Sequence, residues 1–222
     1  MINNASINTT DDQMEITTKL KELNLDLNII LQACIDGVIE RQYYGELSTR
    51  AAAGFNQWNK TVQSLRGFCC GKFWHKYESN GLEGIISNDK KIKIIPCSGN
   101  SNTGIFNAIP SNKNSKGEVA MNELVESAQQ LSLFINNSEH IYDDNNLIYL
   151  LLYYSNAKEL RCELSRPNYS SNGKIISWEE RIILPAYKFS NYEFNPQQIR
   201  MIDNKKLNIP SVDINIVRRK FN

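Results

Sequence analysis

Apolar residues recur at helical spacing from Met14 through Leu20, Leu23, Leu27, Ile30, Leu31, Cys34, Ile35 and Val38, which predicts one long first helix. Gly45 interrupts the pattern, and Ser48 is placed to cap a second helix whose stripe runs Ala51, Phe55, Trp58, Val62 and Leu65. Its alternation of threes and fours is the clearest helical signal in the chain, and it assigns Phe55 and Trp58 to the core. The two helices form a predicted hairpin over residues 14–66, behind a polar segment, residues 1–12, expected to fray.

Beyond Gly67 the period changes. Ile85-Ile86 and Lys91 to Pro96 read as two strands around an Asn88-Asp89 turn, and a long polar segment follows, so residues 84–118 are a hairpin plus loop. A third helix is predicted over 119–136, with Leu124, Val125, Ala128, Leu131 and Ile135 on one face. The runs LIYLLLYY, LRCELS and IISWEERIILP, separated by polar turns, predict a three-stranded antiparallel meander over 147–185. Its first run is apolar throughout, as a central strand covered on both faces should be. Asn195-Pro196 starts a short helix, and Val212 to Ile216 alternate as a last strand within residues 196–218. The expected fold is a single α+β domain over 13–222, with a mostly antiparallel sheet, the helical hairpin and the third helix packed on it.

Charge adds little, because the formal net charge of the 222 residues is +1. Any case for a polyanionic partner must rest on local clustering. Five cysteines, irregularly spaced and with Cys69 and Cys70 adjacent, fit reduced cytosolic thiols better than a secreted disulfide framework. The first residues lack the basic flank and apolar core of a leader, and Leu147 to Tyr154 is too short to cross a bilayer, so the expectation is a cytoplasmic protein with no membrane partner. Abundant Asn, Ile and Lys suggest an AT-rich, bacterial genome.

The chemistry-bearing candidates begin with Gly99 to Gly104, which has the glycine spacing of a phosphate-binding P-loop after a strand. Ile105 and Phe106 stand where the Lys and hydroxyl residue of such a loop belong, so a P-loop nucleotidase is excluded. What remains is an anion nest of backbone amides with the Ser98, Ser101 and Thr103 hydroxyls, flanked by Lys113 and Lys116. A second candidate is the segment 41–76, where Arg41, Arg50, Lys60, Arg66, Lys72 and Lys76 face only Glu46, interleaved with Tyr43, Tyr44, Phe68, Phe73 and Trp74. Cations for phosphates and rings for bases are the composition of a nucleic-acid surface; the same charges can also simply solvate helices. Cys69, Cys70, His75 and Cys97 have the wrong spacing for structural zinc. Glu163 and Glu179 fall on neighbouring predicted strands, with Asp143 and Asp144 before them, but the lysine of an acid-x-Lys nuclease element is missing. Cross-strand pairing with Arg161 or Arg181 explains the same carboxylates.

These readings predict a binding or assembly protein rather than an enzyme, without cofactor or metal. Its expected ligand is nucleic acid or another phosphate-bearing molecule, held by Arg50, Lys60, Arg66, Lys72 and Lys76 with Trp74 stacking, and by Ser98, Ser101 and Thr103 of the loop. The alternatives are a metal-dependent phosphodiesterase using Glu163 and Glu179, and a protein-interaction subunit of a multicomponent or mobile-element system.

Overall fold

The first helical stripe is cut in two at Asn24. In the computed structural model, which describes residues 8–125 and 147–189, α1 spans Gln13–Glu22 and α2 spans Leu27–Arg41. Asn24 takes φ 52°, its amide reaches Lys21 O at 3.0 Å, and the Leu25 amide reaches Leu20 O at 2.8 Å. That pair of bonds is a Schellman stop, which needs a left-handed residue. Asp26 then caps α2 by accepting from the Asn28 and Ile29 amides. The apolar period runs on across the break because both helices bury their stripes on the same layer.

The helix α3, Ala52–Cys69, starts later than Ser48 would dictate, with Ala51 at the N-cap position and no side-chain cap. Its buried residues include Gln57, Thr61 and Ser64 as well as Val62 and Leu65. This polar seam faces α2: Ser64 Oγ donates to Asp36 Oδ2 at 2.6 Å, and Arg41 donates to Gln57 Oε1 at 3.1 Å. A methyl group at Gly37 would stand 2.1 Å from Thr61 Oγ1, so the helices cross where α2 has no side chain. The buried face is rotated accordingly, and Phe55, expected in the core, is 58% exposed.

Eight strands form one sheet: β1 (Asn8–Thr10), β2 (Trp74–Ser79), β3 (Leu82–Ser87), β4 (Ile92–Ser98), β5 (Leu147–Ser155), β6 (Glu159–Ser171), β7 (Lys174–Ile183) and β8 (Tyr187–Lys188). The order is β1-β7-β6-β5-β4-β3-β2, with β8 beside β6. The sheet is mixed: five of its seven strand pairings are antiparallel, while β1 runs parallel to β7 and β4 parallel to β5. A parallel pair needs a long crossover, and the chain between Ser98 and Leu147 supplies it. Residues 8–10, expected to fray, are held as β1 by this pairing. Asn80-Gly81 and Asn172-Gly173 have positive φ at both positions, the geometry of two-residue hairpin turns, and the first of them adds β2, a strand the apolar pattern did not mark.

Helices cover one face of the sheet, where Cys34 of α2 meets Cys162 of β6 and Trp58 Nε1 donates to Pro96 O at 3.2 Å. The other face is covered by the segment 99–117 and by α4, helical over residues 118–125. Ala120, Met121 and Leu124 of α4 pack on Leu150, Leu152, Ile95 and Trp178. With both faces covered, β5 is buried from Ile148 to Tyr153. The rest of the helix expected at 119–136, and the helix and strand expected at 196–218, lie outside the described residues. The described residues all belong to the first of two units into which the chain divides, Met1–Phe189. Among them no helix is long and apolar enough to cross a membrane.

A cationic cleft at the ends of the central parallel strands

The segment after β4 is built on an ion pair inside the protein. Glu163 and Arg181 are 0% and 2% exposed, and Arg181 grips the carboxylate with two nitrogens, at 2.7 and 3.2 Å. Gly104 N–H and Ser165 Oγ donate to the same carboxylate at 2.8 and 2.7 Å. The guanidinium also donates to the carbonyls of Ile105, Phe106 and Ala108, at 3.1, 3.3 and 2.7 Å. Between Arg166 and Pro167 the β6–β7 register shifts by one residue at Glu179. Such a bulge re-aims side chains, and here Trp178 shares the loop side with Arg181, its Nε1 donating to Pro110 O at 2.9 Å. Asn112 closes the segment by accepting from Ile175 N–H and donating to Gly173 O.

The loop therefore does not form an anion nest. Most of its amides are already used: Gly99 on Tyr153 O, Asn100 on Ser111 O, Asn102 on Asn100 Oδ1, Thr103 on Asn100 O, Ile105 on Asn102 O, and Gly104 on Glu163. Thr103 is fully buried beside Gly99, and Ser101 offers its carbonyl to Arg161 at 2.9 Å. Charged-group hydrogen bonds hold this polypeptide as scaffold rather than as a cradle.

What the scaffold shapes is a cleft of about 730 Å³ at the carboxyl ends of β4 and β5. One wall is the start of α3, with Arg41 and Arg50 beside it; the other is Lys113 to Lys116; the floor is Ser98, Gly99 and Tyr153 to Ser155. Four cations line the cleft, Arg41, Arg50, Lys113 and Lys116, and no carboxylate does. Arg41 donates to Gln57, whereas among the described residues the side chains of Arg50, Lys113 and Lys116 have no hydrogen-bond or ion-pair partner. Among the described residues the amides of Ala53 and Gly54, in the uncapped first turn of α3, have no acceptor either, and their dipoles favour negative charge.

Two groups on the floor remain protonated. Burial pushes the Tyr153 phenol well above its ordinary value, against the opposing hydrogen bond with Ser98 Oγ at 3.0 Å. Burial likewise raises the Cys97 thiol, only partly countered by the charges of Lys116 and Lys174. The cleft carries cationic walls and a neutral floor.

Of the residues expected to bind, the structure brings Arg50 and Ser98 to this cleft and disperses the rest. Arg66 is spent on the carbonyls of Gly84 and Tyr77 and on Glu78 and Glu83. Lys76 pairs with Glu78 at 2.8 Å, Lys60 reaches Gln63, and Lys72 lies over the Phe73 ring. Trp74 is corrected from surface stacker to core residue: it is 2% exposed, and its Nε1 donates to Asn24 O in the turn between α1 and α2. The aromatic residues that do line the cleft are Phe55, Trp58, Tyr153 and Tyr154. Helical spacing hid the first two by placing them in the core; Lys113 and Lys116 were already suggested by their position flanking the loop.

The two carboxylates considered for metal chemistry serve different arginines, Glu163 with Arg181 and Glu179 with Arg166 at 3.0 Å. Among the described residues no cluster of three His, Cys, Asp or Glu side chains could hold a metal ion; Asp143 and Asp144 lie outside them. Comparison with protein families, curated proteins and solved structures found no match.

Proposed function

We propose that this protein binds a compact phosphate-bearing ligand in the cleft at the ends of β4 and β5. The observation that carries this reading is the convergence of Arg41, Arg50, Lys113 and Lys116 on one concave space with no carboxylate among its lining residues. Like charges gathered without counter-charge repel one another, and an anion that neutralises them gains from all four at once. Arginines suit the role because their planar donors match phosphate oxygens. Five free cysteines fit the setting we propose for it, a bacterial cytosol.

Calorimetric titration with inorganic tripolyphosphate tests the reading. Binding is expected at low salt, weakening as salt rises, with Arg50→Ala and Lys116→Ala each lowering affinity by about tenfold, the scale of one lost charge-assisted contact. Lys76→Ala, already neutralised by Glu78, should change little. Absence of binding at low salt, or equal losses from Lys76→Ala and Arg50→Ala, would remove the cleft from consideration.

A further inference from the structure

The cleft is not lined by cations alone. Phe55 stands on its α3 wall 58% exposed, and its ring lies 5.7 Å from that of Trp58, tilted by 50°. Trp58 is fixed in turn by its Nε1 bond to Pro96 O, so the pair is a supported apolar surface rather than a loose side chain. A wholly polar anion, such as polyphosphate or a sugar phosphate, gives such a surface nothing to do. A planar heteroaromatic ring does, because its face packs on an aromatic side chain whatever its hydrogen-bonding edge.

The distribution of charge limits the ligand's size. A polynucleotide needs cations strung along a track, but outside the cleft the basic residues of the 41–76 segment are diverted: Arg66 and Lys76 to glutamates, Lys60 to Gln63, Lys72 to Phe73. Arg50, Lys113 and Lys116 converge on one point instead, in a volume of about 730 Å³, within the range that holds a single small ligand. We infer that the ligand is a nucleoside polyphosphate, its phosphates among Arg50, Lys113 and Lys116 and its base against Phe55. This rests on the phosphate-binding reading of the same cleft and adds the chemistry of the other half of the ligand.

The test compares ATP and CTP with inorganic tripolyphosphate and a short single-stranded oligonucleotide, all without divalent metal, by calorimetry on the full chain. The wild-type protein should prefer the nucleotides over tripolyphosphate by about tenfold, the scale of one stacked base. Phe55→Ala, an exposed position whose folding can be verified by a thermal melt, should reduce that preference to about twofold or less. Equal affinity for tripolyphosphate and nucleotide would overturn the nucleotide assignment and leave the phosphate site standing. Failure of all ligands would overturn both. An oligonucleotide bound more tightly than either nucleotide, with the gain lost in Phe55→Ala, would replace the nucleotide by a nucleic-acid strand.

Discussion

Arg181 and Glu163 show how one pair of residues can organise a long segment. Desolvating two charges is expensive, and their attraction repays it only when the remaining hydrogen-bonding groups are also satisfied. Here the carboxylate receives Gly104 N–H and Ser165 Oγ, and the guanidinium serves three carbonyls of the loop. Arg181→Ala would strand both a buried carboxylate and those carbonyls, with an expected loss of about 3–5 kcal/mol in urea denaturation. The double variant Glu163→Leu with Arg181→Met removes the stranded charge and should recover part of that loss, but not all, because the carbonyls still lack donors. A loss below about 1 kcal/mol for Arg181→Ala, the range of exposed ion pairs, would contradict the role assigned here. Cross-strand pairing of these residues was readable from their alternation on neighbouring strands. The loop carbonyls on the far side of Arg181 were not, since nothing in a sequence says which long segment will fold over which strand.

Among the helices, the legible and the illegible separate along the same line. Apolar periodicity reports which residues face a core, so it located the helical regions well and their boundaries poorly. Asn24 and Asp26 carried the stop and start signals, but their effect is local and polar, and the stripe continues past them. On α3 the reading erred for the opposite reason: Gln57, Thr61 and Ser64 are polar yet buried, because they face a neighbouring helix at close range, while Phe55 is apolar yet exposed. The close approach makes a prediction. A Cβ at Gly37 would lie 2.7 Å from the Gln57 carbonyl as well as 2.1 Å from Thr61 Oγ1, and helix backbone cannot yield without moving α2 off α3. Gly37→Ala is expected to destabilise by about 1–3 kcal/mol, as overpacking of a tight core does, despite the better helix propensity of alanine. Thr61→Ala in the same chain should relieve the side-chain clash but leave the carbonyl, giving a coupling energy of intermediate size in a double-mutant cycle. A stabilised Gly37→Ala protein would mean that the helices are farther apart than described.

At the scale of the molecule, the crossover from β4 determines both the sheet and the cleft. A chain that turned back at Ser98 would have made the β4–β5 pair antiparallel, as the short strands suggested. Instead the polypeptide traverses the open face, and the carboxyl ends of β4 and β5 come side by side beneath Lys113 and Lys116. Sequence exposed the polarity of the segment but not its rigidity, because a polar loop over solvent and one over a buried arginine have the same composition. Ordering each residue costs about 1–2 kcal/mol of backbone entropy, so a segment of this length remains fixed only if its bonds to Arg181, Trp178, Lys174 and Ile175 act together. Hydrogen exchange distinguishes the two cases. Gly99 and Gly104 amides, bonded to Tyr153 O and Glu163, should exchange about as slowly as those of β4 and β5, whereas a solvated loop would exchange within the fastest set. Arg181→Met should speed Gly104 while leaving α2 protected, if the loop opens as a unit of its own. Should α2 lose protection in step with Gly104, the loop and helices belong to one cooperative unit, and ligand binding at Lys113 and Lys116 would then raise the stability of the whole fold rather than of one wall.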